Sequence, residues 1–135
     1  MPHIRGIDHI AITVSDLEAT CAFYDKLFGA TTHRENVRDG RVLVRQILLG
    51  GALLSVHQAG NGADLVAKKP TVSAADICFL WAGSIESAAV LLRAHDIEVI
   101  FGPAPRRTAD GVAAHSVYFR DLDGNLLELM AADLP

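Results

Sequence analysis

The chain has 135 residues, half of them hydrophobic and 21% charged, with a net charge of −4. That is one domain's worth of sequence, too apolar for a disordered chain. The acidic balance argues against a nucleic-acid surface, no run of about 18 apolar residues is available to span a membrane, and Cys21 and Cys78 are too few for a disulfide framework.

Ile7 to Val14 opens the chain with period-2 alternation. Ile10, Ile12 and Val14 alternate with His9, Ala11 and Thr13, which predicts a half-buried strand. Ser15 to Glu18 reads as a capping box with an acidic first turn. Leu17, Cys21, Tyr24 and Phe28 then recur at helical spacing, and Gly29 is placed to end the helix in a left-handed cap. Thr31 to Glu35, Arg41 to Leu49 and Ala52 to His57 predict three strands, the last two joined at Gly50-Gly51. The polar stretch Gln58 to Pro70 reads as a crossover.

The pattern then returns. Asp76 to Trp81 predicts a strand with Ile77, Phe79 and Trp81 on one face and Asp76, Cys78 and Leu80 on the other. Ser84-Ile85-Glu86 starts a helix that runs to about His95. Glu98 to Phe101 predicts a strand and Gly102 to Gly111 a Pro/Arg/Gly loop. Ser116 to Arg120 predicts another strand, Asp121 to Gly124 a tight turn, and Leu126 to Met130 the last strand. The Arg106-Arg107 loop reads equally as a mobile lid that attracts an anionic substrate and as a solvated hairpin loop.

Each half is thus a strand, a helix and about three strands within a single domain over residues 1–135, with module one at about 5–60 and module two at about 73–132. A unit that cannot bury its sheet alone stacks on its copy. His9 and Asp76 occupy the same place on the opening strands. Counted from the turns at Gly50 and Asp121, His57 and Glu128 occupy the same place on the closing strands. With the branched apolar residues facing the helices, these four point the other way, and two curved sheets facing each other would gather them in one cavity. Two imidazoles and two carboxylates suit a divalent first-row metal. Glu128 interrupts an apolar run, where a carboxylate is costly unless paired or coordinated. Tyr118 and Arg120, at alternate positions of one strand, either line that cavity or decorate the outer face.

Gly6-Ile-Asp-His-Ile-Ala-Ile-Thr-Val-Ser-Asp-Leu-Glu, with Phe23-Tyr24 and Leu27-Phe28-Gly29, resembles the start of a vicinal oxygen chelate domain. Ser116-Val-Tyr-Phe-Arg-Asp-Leu-Asp-Gly-Asn-Leu-Leu-Glu-Leu resembles its close. The family is the glyoxalase, bleomycin-resistance and extradiol dioxygenase superfamily. Leu54-Ser-Val-His-Gln-Ala-Gly and Ser73-Ala-Ala-Asp-Ile-Cys-Phe are similar to its glyoxalase-domain "virulence protein" branch.

The resemblance implies an α+β fold of two paired βαβββ modules, with curved mixed sheets around a metal-binding cavity. It implies one divalent metal (Ni, Fe, Mn, Zn or Co) on His9, His57, Asp76 and Glu128. Asp76 and Glu128 are its candidate catalytic groups, and Arg107, Tyr118 and Arg120 its candidate substrate contacts. The implied activity is that of a metal-dependent small-molecule enzyme, a glyoxalase-like lyase or isomerase or a dioxygenase. Thr13 stands where glyoxalase I enzymes carry a glutathione-holding arginine, and Asp76 where many members have histidine. The alternatives are a non-catalytic drug- or metabolite-binding protein of the bleomycin-resistance type and a fosfomycin-type antibiotic-modifying transferase. A homodimer in the cytoplasm, with no nucleic acid or membrane partner, completes the expectation.

Overall fold

A computed structural model describes residues 3–133. The chain divides into two compact units between Ser73 and Ala74. The first holds β1 (His9–Val14), α1 (Leu17–Phe28), β2 (Thr31–Arg38), β3 (Arg41–Leu49) and β4 (Ala52–Gln58). Its four strands lie in the order β1-β4-β3-β2, with β1 parallel to β4 and the other neighbours antiparallel. The second holds β5 (Asp76–Trp81), α2 (Ile85–Ala94), β6 (Phe101–Arg107), β7 (Ala113–Arg120) and β8 (Leu126–Ala132), in the order β5-β8-β7-β6 with β5 parallel to β8. Each unit is therefore one βαβββ module, as the repeated element order predicts.

Within the first unit, β1 and β4 press Ile12, Val14, Leu54 and Val56 against Leu17, Cys21, Tyr24 and Leu27 of α1, and all eight are buried. In the second, Val117, Phe119, Leu127 and Leu129 meet Ile85, Ala88, Ala89 and Leu92 of α2, again all buried. Each fully buried Leu or Phe contributes about 1.5–3 kcal/mol relative to exposure. The opposite face of each sheet has no helix of its own unit on it, and Leu80 and Phe101 there stay 78% and 58% exposed.

Two local expectations are corrected. The cap of α1 is Asp16, whose carboxylate accepts the Ala19 N–H at 3.0 Å, and not Ser15. A carboxylate there meets both the orphan N–H groups and the positive end of the helix dipole. Ser15 instead offers its carbonyl to the Gln58 side-chain amide at 2.7 Å, and Gln58 Oε1 accepts the Leu17 N–H at 2.8 Å. The stretch read as a loop or lid from Gly102 is mostly strand: β6 runs to Arg107 and pairs with β7. Gly102 makes this possible. Its φ of +103° disfavours other residues, and a Cβ there would stand 2.3 Å from the Ser116 carbonyl. The loop itself shrinks to residues 108–112, closed by Thr108 N–H to the Val112 carbonyl at 2.9 Å.

The turn before β8 is built from buried polar groups. Asp121 Oδ1 accepts the N–H groups of Asp123 and Asn125 at 3.0 and 2.9 Å, and Oδ2 accepts the Asn125 amide at 2.9 Å. Asn125 Oδ1 accepts the Ala75 N–H at 2.9 Å, which ties this turn to the start of β5.

Candidate functional site

In the first unit, the face of the sheet turned away from α1 follows from the register. His9 pairs with Leu53, Ala11 with Ser55 and Thr13 with His57, while Gln46 and Val44 of β3 stand beside Ser55 and His57. Paired residues share a face and alternate residues leave it, so His9 and His57 lie on one side. His9 Nδ1 lies 2.8 Å from Asp8 Oδ1, which leaves Nε2 as the ring nitrogen not engaged by Asp8, and 44% of the side chain is exposed. A carboxylate behind one ring nitrogen is the arrangement that orients a metal-ligating histidine. His57 is half-buried and borders a pocket of about 140 Å³ with Thr13, Asn61 and Val66. Burial, and then the nearby His9, push its imidazole below the usual histidine pKa, so it is neutral at pH 7.

In the second unit, the corresponding face carries Asp76, Cys78 and Leu80 from β5, paired with Leu126, Glu128 and Met130 of β8. Tyr118 stands on the other side of Glu128, and Phe101 beyond it. Glu128 Oε2 is buried with no hydrogen-bond partner, which is costly for a carboxylate oxygen. Loss of hydration against the sheet, the Glu128 charge and a hydrogen bond to Glu128 push the Cys78 thiol up to about 11, even though the residue keeps an exposed edge.

The register moves His57 from the place its spacing predicts. His9 and Asp76 are equivalent, each opening its strand beside Leu53 or Leu126. By the same register Ser55, beside Ala11, is the counterpart of Glu128, beside Cys78; His57 is the counterpart of Met130. Five residues separate β7 from β8 against two between β3 and β4, and β4 starts one register position earlier than β8, so counting from the turns slips by two. His57 keeps its face and sits one same-face position further along the strand. Ser55 is buried and its hydroxyl accepts the Gln46 amide at 3.0 Å.

The candidate substrate contacts separate. Tyr118 lies on the Glu128 face. Arg120 shares the row of Leu126 and Asp76 and donates to the Gly124 carbonyl at 3.2 Å. Arg107 pairs with Ala113 on the alternate face and donates to the Gly111 carbonyl at 2.8 Å. The arginine that reaches Tyr118 is Arg106, whose Nε donates to the phenol oxygen at 2.8 Å and whose guanidinium carbon lies 5.4 Å from the ring centre. Strand alternation distinguishes Arg106 from Arg107 only once residues 101–107 are known to be strand.

Among the described residues, no three His, Cys, Asp or Glu side chains form a metal-holding group. Each unit supplies a pair: His9 and His57, or Asp76 and Glu128. Their chemistry fits a divalent metal on two grounds, the orphaned Glu128 oxygen and the Asp8-backed His9 imidazole. Neither pair makes a complete set alone.

The family model of the Glyoxalase/Bleomycin resistance protein/Dioxygenase superfamily matches residues 6–129. Virulence protein STM3117 of Salmonella typhimurium is 32% identical over 128 residues, covering 93% of this chain and 83% of that protein. The integron cassette protein VCH_CASS1 from the mobile metagenome of V. cholerae superposes with a TM-score of 0.85 at 30% identity, over 97% of this chain and 98% of that one. The fosfomycin resistance protein FosX of Listeria monocytogenes, solved with Mn(II) and a sulfate ion, superposes with a TM-score of 0.66 at 26% identity, over 97% and 93% of the two chains. The match across both modules, opening and closing strands included, shows that the chain belongs to the glyoxalase/bleomycin resistance/dioxygenase superfamily.

Proposed function

We propose that this protein is a divalent-metal-dependent enzyme acting on a small molecule through neighbouring oxygen atoms, with glyoxalase-like lyase or isomerase, or dioxygenase, chemistry. The observation that carries this reading is Glu128, a carboxylate with a buried, unpartnered oxygen on the open face of its sheet. The ligands assigned are His9, His57, Asp76 and Glu128. The Mn(II) bound by FosX supports a divalent ion for this chain.

When bound, the metal supplies Lewis-acid stabilisation of negative charge on substrate oxygens. The chain's own residues do the rest. Asp8 holds the His9 ring in one orientation. Neutral His57 has a lone pair to give. Glu128 and Asp76 are the two carboxylates able to accept and return a proton, and Cys78 beside Glu128 stays a neutral thiol. Tyr118, adjacent to Glu128 across the sheet, orients what lies on that face.

The exposed Leu80 and Phe101 favour a homodimer that covers apolar sheet surface. No helix among the described residues is long and apolar enough to cross a membrane. Metal analysis of full-length protein purified without chelator tests the reading. Bound or readily taken-up Ni²⁺, Fe²⁺, Mn²⁺, Zn²⁺ or Co²⁺ supports it, and refusal of all five overturns it.

A further inference from the structure

Arg106, Tyr118 and Ser116 form a group that neither the fold nor the proposed ligands require. On the open face of the second unit, Glu128, Tyr118 and Phe101 stand side by side in one row. The next row holds Met130, Ser116 and Ala104, and the one after it Ala114 and Arg106. Arg106 thus reaches back across two rows to put its Nε on the Tyr118 hydroxyl at 2.8 Å, with its guanidinium over the ring. Ser116 lies between them in register, and its hydroxyl is buried with no hydrogen-bond partner.

The remaining donors of Arg106 are informative. Nη1 donates to the Pro105 carbonyl at 2.8 Å, and Nη2 has no partner among the described residues. Among the described residues, no carboxylate forms an ion pair with this guanidinium. The contrast is Arg45, which spends its guanidinium on Glu18 and Glu35 at 2.9 and 3.0 Å and pins α1 to the sheet. An arginine held in place by a tyrosine and a carbonyl, with its charge unpaired, is preorganised for an anion from outside.

We propose that Arg106 and Tyr118, with Ser116 beneath them, bind an oxyanion group of the substrate, a carboxylate or a phosphoryl group, so that the substrate is an anionic small molecule whose reacting end lies toward Glu128. The proposal rests on the metal-enzyme reading for its substrate, but its binding test does not. Tyr118 is shared by both rows of contacts: it neighbours Glu128 on one side and accepts from Arg106 on the other. It sets the spacing between the charged end of the ligand and the carboxylate.

The experiment titrates inorganic phosphate, and separately acetate, into the full-length, metal-free protein by calorimetry or amide NMR. Saturable binding of at least one anion is expected. Arg106→Gln should weaken it about tenfold or more, Arg106→Lys should retain part of the affinity, and Tyr118→Phe should weaken it several-fold. Arg93→Gln, a surface charge on α2, should leave it unchanged. Absence of saturable binding by either anion, or equal binding by Arg106→Gln and Arg93→Gln, overturns the proposal. Divalent-metal uptake is measured on the same preparations. Uptake without Arg106-dependent anion binding sinks this proposal alone, and the reverse result sinks the metal-enzyme reading alone.

Discussion

The Asn125 side-chain oxygen accepts the main-chain N–H of Ala75 at 2.9 Å, and the neighbouring Leu126 N–H donates to the Ala75 carbonyl at 3.0 Å. These two bonds lock the start of β5 to the start of β8. They set the register that places Asp76 beside Leu126 and Cys78 beside Glu128. Asn125 is 1% exposed and also holds Asp121. Asn125→Ala leaves the Asp121 carboxylate and the Ala75 amide short of partners. It should cost about 2–3 kcal/mol, since each buried polar group left unsatisfied costs on the order of 1–3 kcal/mol. Urea denaturation checks this, and a loss below half a kcal/mol would show the lock to be dispensable.

Cys78 reports on Glu128. With its thiol pushed up to about 11, it should alkylate with iodoacetamide about a hundredfold more slowly at pH 8 than an unperturbed thiol. Glu128→Gln removes the charge and should speed the reaction. Cys21 is buried on the sheet-facing side of α1 and will not compete. Alkylation at an ordinary rate, or no response to Glu128→Gln, would show that the two side chains are not neighbours in solution.

His57 makes the metal-free protein pH-sensitive. Its pKa is lowered on folding, first by burial and then by His9, so the unfolded chain binds the proton more readily. Stability is complete above the unfolded value near 6.5 and falls as pH drops from there through the folded value. His57→Gln should flatten this fall. Urea midpoints at pH 7.5 and pH 5 for both proteins check it; an equal fall in both would place the sensitivity elsewhere.

Much of the fold was legible from the residues. Alternation in His9 to Val14 and Asp76 to Trp81 marks both opening strands and their helix-facing sides, and Gly29 ends α1 with φ +67°. What escaped has physical causes. A run of Gly-Pro-Ala-Pro-Arg-Arg offers no strand signal, because its pairing depends on Gly102 passing close to Ser116, a tertiary contact. The same blindness hid which of Arg106 and Arg107 faces Tyr118. Turn length does not survive the repeat, whereas strand register does, so counting from the turns misplaces His57. Ser55, the true counterpart of Glu128, carries no charge to attract notice.

We propose His9 and Glu128 as ligands of a divalent metal. The most direct measurement of this is Mn²⁺ and Zn²⁺ titration of the full-length chain, followed by calorimetry, alongside His9→Ala and Glu128→Gln. One ion per chain is expected, with at least a tenfold loss of affinity in each variant and thermal unfolding showing both folded. No binding by the parent chain, or unchanged affinity in both variants, would contradict it.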